Sequence, residues 1–258
     1  MNLVIGEKKL MDETIIKAQL NKKPQKEHSE DLIGFEKNVF WLLDGATMPK
    51  ELSSISVVEY TKNLSNAIRK NAYLNHPQEI LKKAIVEMKR EYKNSITDIN
   101  PSSTVIIVCF GKEIEYGVLG DSTLYIVNGD EEIVVTDRRL QNIANKERIE
   151  FQHNSTLENR KKLIIKENEY RNQKNGYYIA EFNPIAAQEM ICGAITNANQ
   201  DVLLMSDGLS VLHDKYNWSY RKILEKIKTN SEIIKQLREI DSSDDASFLY
   251  IKGENSYE

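Results

Sequence analysis

The stretch Thr104–Asp137, TVIIVCFGKEIEYGVLGDSTLYIVNGDEEIVVTD, decides the fold class. It holds four runs rich in β-branched and aromatic residues: TVIIVCF, EIEYGVLG, STLYIVN and EEIVVTD. The separators GK, GD and NGD are turn formers, and short turns between such runs predict an antiparallel meander. Upstream, NLVIGEKK and ETIIKAQL read as short strands, and EDLIGFEKN with VFWLLDG as a hairpin ending at Asp44. Two helices should follow. In the first, Leu52, Ile55, Val58, Leu64, Ala67 and Ile68 recur at roughly helical spacing; in the second, Leu81, Ala84, Ile85, Met88 and Tyr92 do so, with Pro77 in the first turn.

Downstream of the stretch, residues 139–175 are charged and poor in apolar positions, and read as a helix or a mobile insertion. GYYIAEF (176–182) restarts strand character, and NPIAAQEM (183–190) is a short helix. QDVLLMSDG is a strand; LSVLHDKYNWSYRKILEKIKT and SEIIKQLREI are helical; DSSDDASFLYIK is a turn and a strand. Helices come in pairs and strands in blocks, which is α+β rather than strict alternation. Two antiparallel sheets packed together with helix pairs outside give a four-layer α-β-β-α sandwich. No linker rich in Pro, Gly or Ser divides the chain, so residues 1–258 read as one domain with a variable insertion at about 139–175.

With 40% hydrophobic residues among 258, the chain can bury a core. Its 35 basic and 39 acidic residues nearly cancel, so there is no global field for nucleic acid or an anionic membrane. The short basic clusters NKKPQK and ENRKK read as solvated faces. The first residues are charged throughout, unlike a signal peptide, and no apolar run approaches the ~20 residues of a membrane span. Cys109 and Cys192 stand alone in apolar segments, as reduced and buried thiols of a cytoplasmic protein do. Neither belongs to a paired zinc-ligand motif.

The chemistry must come from acidic turns. Asp44, Asp121, Asp207 and Asp244 each lie at a strand edge, and the first three adjoin a glycine. Asp-Gly is also a common turn dipeptide, so each alone reads as a turn. Several carboxylates gathered at one end of a sheet would repel unless a hard divalent cation joined them, and oxygen-only ligands favour Mg2+ or Mn2+ over zinc. Two such ions sharing one aspartate, with a hydroxide between them, suit attack on a phosphoryl group.

The ordered set EHSEDLIGF, FWLLDGAT, SSTVIIVCF, YGVLGDSTLYIV, LLMSDGL and DDASFLYI resembles the metal-dependent protein phosphatases (the phosphatase 2C-like or PPM family), the bacterial members above all, from about Glu27 to Lys252. The resemblance implies a β-sandwich flanked by helix pairs. It implies that Asp44 bridges two ions while the Gly45 carbonyl binds one, with Asp207 and Asp244 as further ligands. Glu30 and Asp31 match an acidic pair that contacts metal-bound waters, and Asp121 a residue helping to hold a third, weaker ion. Asp245 falls where a neighbour supports the site. Lys26 stands where many relatives carry an arginine that grips substrate phosphate; a lysine offers a point charge rather than a bidentate fork.

Other positions depart from the family pattern. Ala46, Thr47 and Met48 replace a histidine or Met-Gly-Gly after the first Asp-Gly, and Thr123 replaces the commoner arginine after Gly-Asp-Ser. The 139–175 region matches poorly, where the family's variable flap shapes substrate choice. His28, beside the acidic pair, is a candidate proton shuttle; His213 reads as structural. The expected activity is hydrolysis of phosphoserine or phosphothreonine on a protein by a metal-bridging hydroxide, with a cognate kinase as a further partner. An inactive phosphatase-like binding module and a small-molecule phosphohydrolase are the alternatives.

Overall fold

The computed structural model describes residues 3–5, 15–24, 26–196, 200–229 and 232–252. The first elements are β1 (Leu3–Ile5), β2 (Ile15–Asn21), β3 (Leu32–Glu36), β4 (Val39–Gly45), α1 (Val57–Asn71) and α2 (Pro77–Glu91). A strand block follows: β5 (Ser103–Phe110), β6 (Glu113–Leu119), β7 (Thr123–Asn128) and β8 (Glu131–Val135). Then come α3 (Asn145–His153), α4 (Leu157–Asn168), α5 (Ile185–Gln188), β9 (Ile191–Thr196) and β10 (Asp201–Met205). The chain continues through α6 (Asp207–Asp214), α7 (Tyr220–Thr229), α8 (Ile233–Ile240) and β11 (Ala246–Lys252).

The strands form two antiparallel sheets, ordered β1-β2-β11-β10-β7-β8 and β3-β4-β5-β6-β9. Side-chain alternation divides each central strand between two apolar layers. On β4, Val39, Trp41 and Leu43 face α1 and α2, while Phe40 and Leu42 face the other sheet. On β10, Leu203 and Met205 pack under α6, α7 and α8, while Val202 and Leu204 fill the layer between the sheets. Both faces are covered, which is why these strands read as unbroken apolar runs. The result is the expected α-β-β-α sandwich.

The outer helices carry clear local signals. The Ser56 side chain caps α1 by accepting the Glu59 N–H at 3.1 Å, and Pro77 opens α2. Leu64, Ile68, Leu81, Ile85 and Met88 are fully buried against the sheet. Trp41 packs among them, its indole N–H donating to the Ser65 hydroxyl at 2.9 Å.

Several expectations are corrected. Thr104–Asp137 is not one meander: β5–β6 is a hairpin of one sheet and β7–β8 a hairpin of the other. Gly120–Ser122 carries the chain across, and the Ser122 and Thr104 hydroxyls bond to each other there. Alternating apolar residues suit either pairing, so the local pattern could not reveal the change of sheet. Leu52 and Ile55 precede α1 rather than begin it. Residues 139–175 hold two helices, α3 and α4. GYYIAEF is not a strand: Ala180 makes an isolated bridge to Ser103, while Tyr177, Tyr178, Ile179 and Phe182 are buried as packing. The run from Leu209 to Thr229 is two helices, because Trp218 donates its N–H back to the Leu212 carbonyl at 2.9 Å and the chain turns.

The edge strand β9, which periodicity did not flag, leaves Cys192 exposed, whereas Cys109 is buried as expected. The expected strand residues Asn2, Gly6–Lys9 and Glu13–Thr14, and Ser231 of the last expected helix, lie outside the described residues. No described helix is long and apolar enough to cross a membrane.

Candidate active site

One end of the sandwich gathers the acidic turns. Gly45 at the end of β4 pairs with Ser103 at the start of β5, Met205 at the end of β10 pairs with Thr123 at the start of β7, and Leu32 at the start of β3 pairs with Leu43. The turns bearing Asp31, Asp44, Asp121, Asp207 and Asp244 therefore open on the same edge. Asp44 continues the inward series Phe40 and Leu42, so strand alternation aims its carboxylate between the sheets.

The two Asp-Gly glycines draw the walls of this cleft together. A Cβ on Gly45 would lie 2.8 Å from the Glu30 carbonyl oxygen, and one on Gly208 would lie 1.7 Å from that of Asp245. Each glycine is needed for a close approach between distant segments, beyond any turn it makes. Asp207 opens α6, and its N–H donates to the Asp44 carboxylate at 3.2 Å.

The electrostatics show how crowded the cleft is. Burial, then the charges of Asp31, Asp121 and Asp244, hold the Asp44 carboxyl well above the usual carboxylate range, against the hydrogen bond from Asp207. Asp207 is open to solvent, yet desolvation by the cleft atoms and then the charges of Asp44, Asp121 and Asp244 hold it well above that range too. Asp121 is raised by burial and by Asp137 and Asp214, while its backbone and Arg148 oppose the shift. Asp244 is exposed, and its carboxylate accepts the Asp245 N–H at 2.8 Å.

A second group of residues forms the adjoining wall. Asp31 is 4% exposed and accepts a hydrogen bond from the Ser247 hydroxyl at 2.7 Å. Burial pushes it up to about 8; the hydrogen bonds of Ser247 and Ser206 resist, while the charges of Asp245 and Asp207 add to the rise. Asp245 is buried as a tie, accepting the N–H groups of Lys23 at 2.6 Å and Glu30 at 2.7 Å and the Lys26 ammonium at 3.1 Å. Lys26 also donates to Glu30 at 2.6 Å and to the Thr47 hydroxyl at 3.1 Å. All three ammonium hydrogens are thus engaged, and burial notwithstanding, Glu30 and Asp245 raise its pKa. To touch a phosphate, Lys26 would have to release one of these partners.

The structure sets His28 in an exposed loop; His213 stacks on Tyr220 with ring centroids 4.0 Å apart and bonds to the Trp218 carbonyl, a packing role. Asp137 is held by Arg139 through both carboxylate oxygens. The ENRKK cluster is not simply solvated: Arg160 is half-buried and donates to the Thr47 carbonyl at 2.7 Å. No local signal marks Arg160, because its partner lies far away in sequence.

Sequence comparison finds no protein-family model and no curated protein that matches this chain. Comparison with solved structures does. A serine/threonine phosphatase of S. agalactiae is similar over 94% of this chain and 100% of its own, at 16% identity and a TM-score of 0.61. Mycobacterium tuberculosis PstP/Ppp, also a serine/threonine phosphatase, is similar over 94% and 99%, at 14% identity and a TM-score of 0.59. The chain has the fold of the bacterial PPM phosphatases. The PstP catalytic domain, at 15% identity, 93% and 97% coverage and a TM-score of 0.58, has been solved with two manganese ions.

Within this PPM fold, the donor set tests the fit of such ions. The cleft offers oxygen donors, and Asp44 and Asp207 suffer like-charge repulsion that a divalent cation would relieve. Among the described residues, no three His, Cys, Asp or Glu side chains already converge as a coordination group. The donors fit Mg2+ or Mn2+ in chemistry, and a bound ion would have to draw the carboxylates closer.

Proposed function

We propose that this chain is a Mg2+- or Mn2+-dependent phosphatase that hydrolyses phosphoserine and phosphothreonine on a protein partner, itself the product of a kinase. The observation that carries this reading is the gathering of the acidic turns of Asp44, Asp121, Asp207 and Asp244 at one end of a PPM-type sandwich, with the Asp207 N–H on the Asp44 carboxylate at 3.2 Å. Repulsion maintained within one cleft is reasonable where a cation is to be held. Asp44, the Gly45 carbonyl, Asp207 and Asp244 are the proposed ligands, with Asp121 at a weaker additional position. When bound, the ions supply Lewis-acid stabilisation of phosphoryl charge and lower the pKa of water.

The protein's own residues do the positioning. In the metal-free cleft Asp31 is pushed up to about 8, chiefly by burial, and it lines the wall through Ser247. Glu30 is aimed by Lys26 and Thr47. Lys26 holds positive charge beside the cleft for the incoming phosphate. The test is hydrolysis of p-nitrophenyl phosphate with added Mn2+: the wild type should be active and Asp207→Asn reduced to background. Equal rates would overturn the reading.

The absence of a preformed three-ligand group among the described residues favours one second reading, a phosphatase-like binding module. Titration calorimetry separates the two. Stoichiometric Mn2+ binding that Asp44→Asn abolishes supports the enzyme, and no heat of binding supports the module.

A further inference from the structure

The loop Ala46–Pro49 follows Asp44 and Gly45 and belongs to no helix or strand. One backbone bond ties its start, the Ala46 N–H donating to the Ser102 carbonyl at 3.0 Å. Its next tie comes from the α3–α4 insertion. Arg160 of α4 donates to the Thr47 carbonyl at 2.7 Å, across 113 residues of sequence. The Arg160 guanidinium also lies 5.2 Å over the Phe151 ring of α3, so both insertion helices brace it. Thr47 and Met48 of the loop and Arg160 and Ile164 of α4 line a shared cavity of about 50 Å³. Arg148, bonded to Glu167 at 2.8 Å, locks α3 to α4 beneath it.

Thr47 passes this tie onward. Its hydroxyl donates to Glu30 and accepts from Lys26, the two charged groups of the opposite wall. We infer that Arg160 is a positioning residue: through the Thr47 carbonyl it holds the Ala46–Met48 loop, and with it the Gly45 carbonyl and Glu30, in register with the acidic cleft. The α3–α4 insertion is then a brace for the metal-holding end of the sandwich. This role rests on the phosphatase reading for its effect on catalysis, though not for its effect on the loop.

A charge-assisted hydrogen bond of this kind shifts a local equilibrium by roughly ten- to a hundredfold. Four proteins test it: the wild type, Arg160→Ala, Arg160→Lys and Lys162→Ala. Lys162 shares α4, is exposed and pairs with Glu158 one turn back in the same helix at 2.8 Å, so it controls for general effects on the helix. Amide exchange of residues 44–50, Mn2+ affinity by calorimetry, and kcat and KM for p-nitrophenyl phosphate are read on each. For Arg160→Ala we expect exchange and Mn2+ dissociation constant to rise about tenfold and kcat to fall, with KM little changed. Arg160→Lys, which still donates to a carbonyl, should recover part of each, and Lys162→Ala should match the wild type.

Should Arg160→Ala not fold, Arg160→Met keeps the apolar stem without a donor and is read the same way. Unchanged loop exchange overturns the inference, as does faster exchange with unaltered Mn2+ affinity and kcat. A defect confined to KM also overturns it, because it would make Arg160 a substrate contact. If the wild type hydrolyses no phosphomonoester, the phosphatase reading fails, and loop exchange with Mn2+ affinity alone decides the brace.

Discussion

Replacing Asp31 with asparagine should make the metal-free protein more stable, and increasingly so as pH rises. The folded-state carboxyl is pushed from 3.8 up to about 8 by burial first, with the charges of Asp245 and Asp207 adding to the rise. Between pH 5 and 7.5 the unfolded chain has lost this proton and the folded chain keeps it. A raised carboxyl therefore costs the fold nothing below the unfolded value, and the cost grows as pH climbs toward the folded one. Each pH unit in this window removes about 1.4 kcal/mol of stability through this one group, or about 3 kcal/mol over the window.

Asparagine has nearly the same shape and still accepts the Ser247 hydroxyl, but it carries no proton to lose. Urea denaturation of wild type and Asp31→Asn, in EDTA at pH 5 and at pH 7.5, measures the difference directly. The stability gap between the two proteins should widen by about 3 kcal/mol from the lower pH to the higher. Parallel pH dependences would mean that Asp31 ionises normally, and the account of a proton-holding wall would be refuted.

Two further outcomes follow from packing and exposure. Gly208→Ala forces a Cβ to within 1.7 Å of the Asp245 carbonyl oxygen, and the neighbour is backbone rather than a yielding side chain. It should cost about 3 kcal/mol, lowering the melting temperature by roughly 6–12 °C; a melt within a degree of wild type would contradict the close approach of α6 to β11. Under native conditions a maleimide should label Cys192, which is exposed, and spare Cys109, which is buried with its thiol pushed up to about 12. Burial also raises Cys192, so its labelling should speed up between pH 7 and 9; mass spectrometry of the labelled protein that finds Cys109 modified first would contradict the core assignment.

Much of the architecture was legible before any coordinates. Strand runs such as VFWLLDG and helix patterns such as Leu81–Tyr92 are local signals, set by side-chain periodicity over a few residues, and they specified two sheets flanked by helix pairs. The acidic turns were legible for the same reason: a carboxylate beside glycine at a strand end is visible in a short window. Their number suggested oxygen donors for a hard cation, and the family resemblance supplied the roles proposed for each.

Tertiary structure decided what depends on distant partners. It sent β7 and β8 into the sheet opposite β5 and β6, a choice to which alternation is blind. It made Gly208 a contact for Asp245 and Gly45 a contact for Glu30. It tied up Lys26 among Glu30, Asp245 and Thr47, and it turned a charged helix of low apolar content into the support of Arg160 beneath Thr47. Sequence determines which segments are strands and where the carboxylates sit on them, because those properties are local. Only the packed fold determines which carboxylates share a cleft and what braces it, because hydrogen bonds and repulsion act through space between residues far apart in the chain.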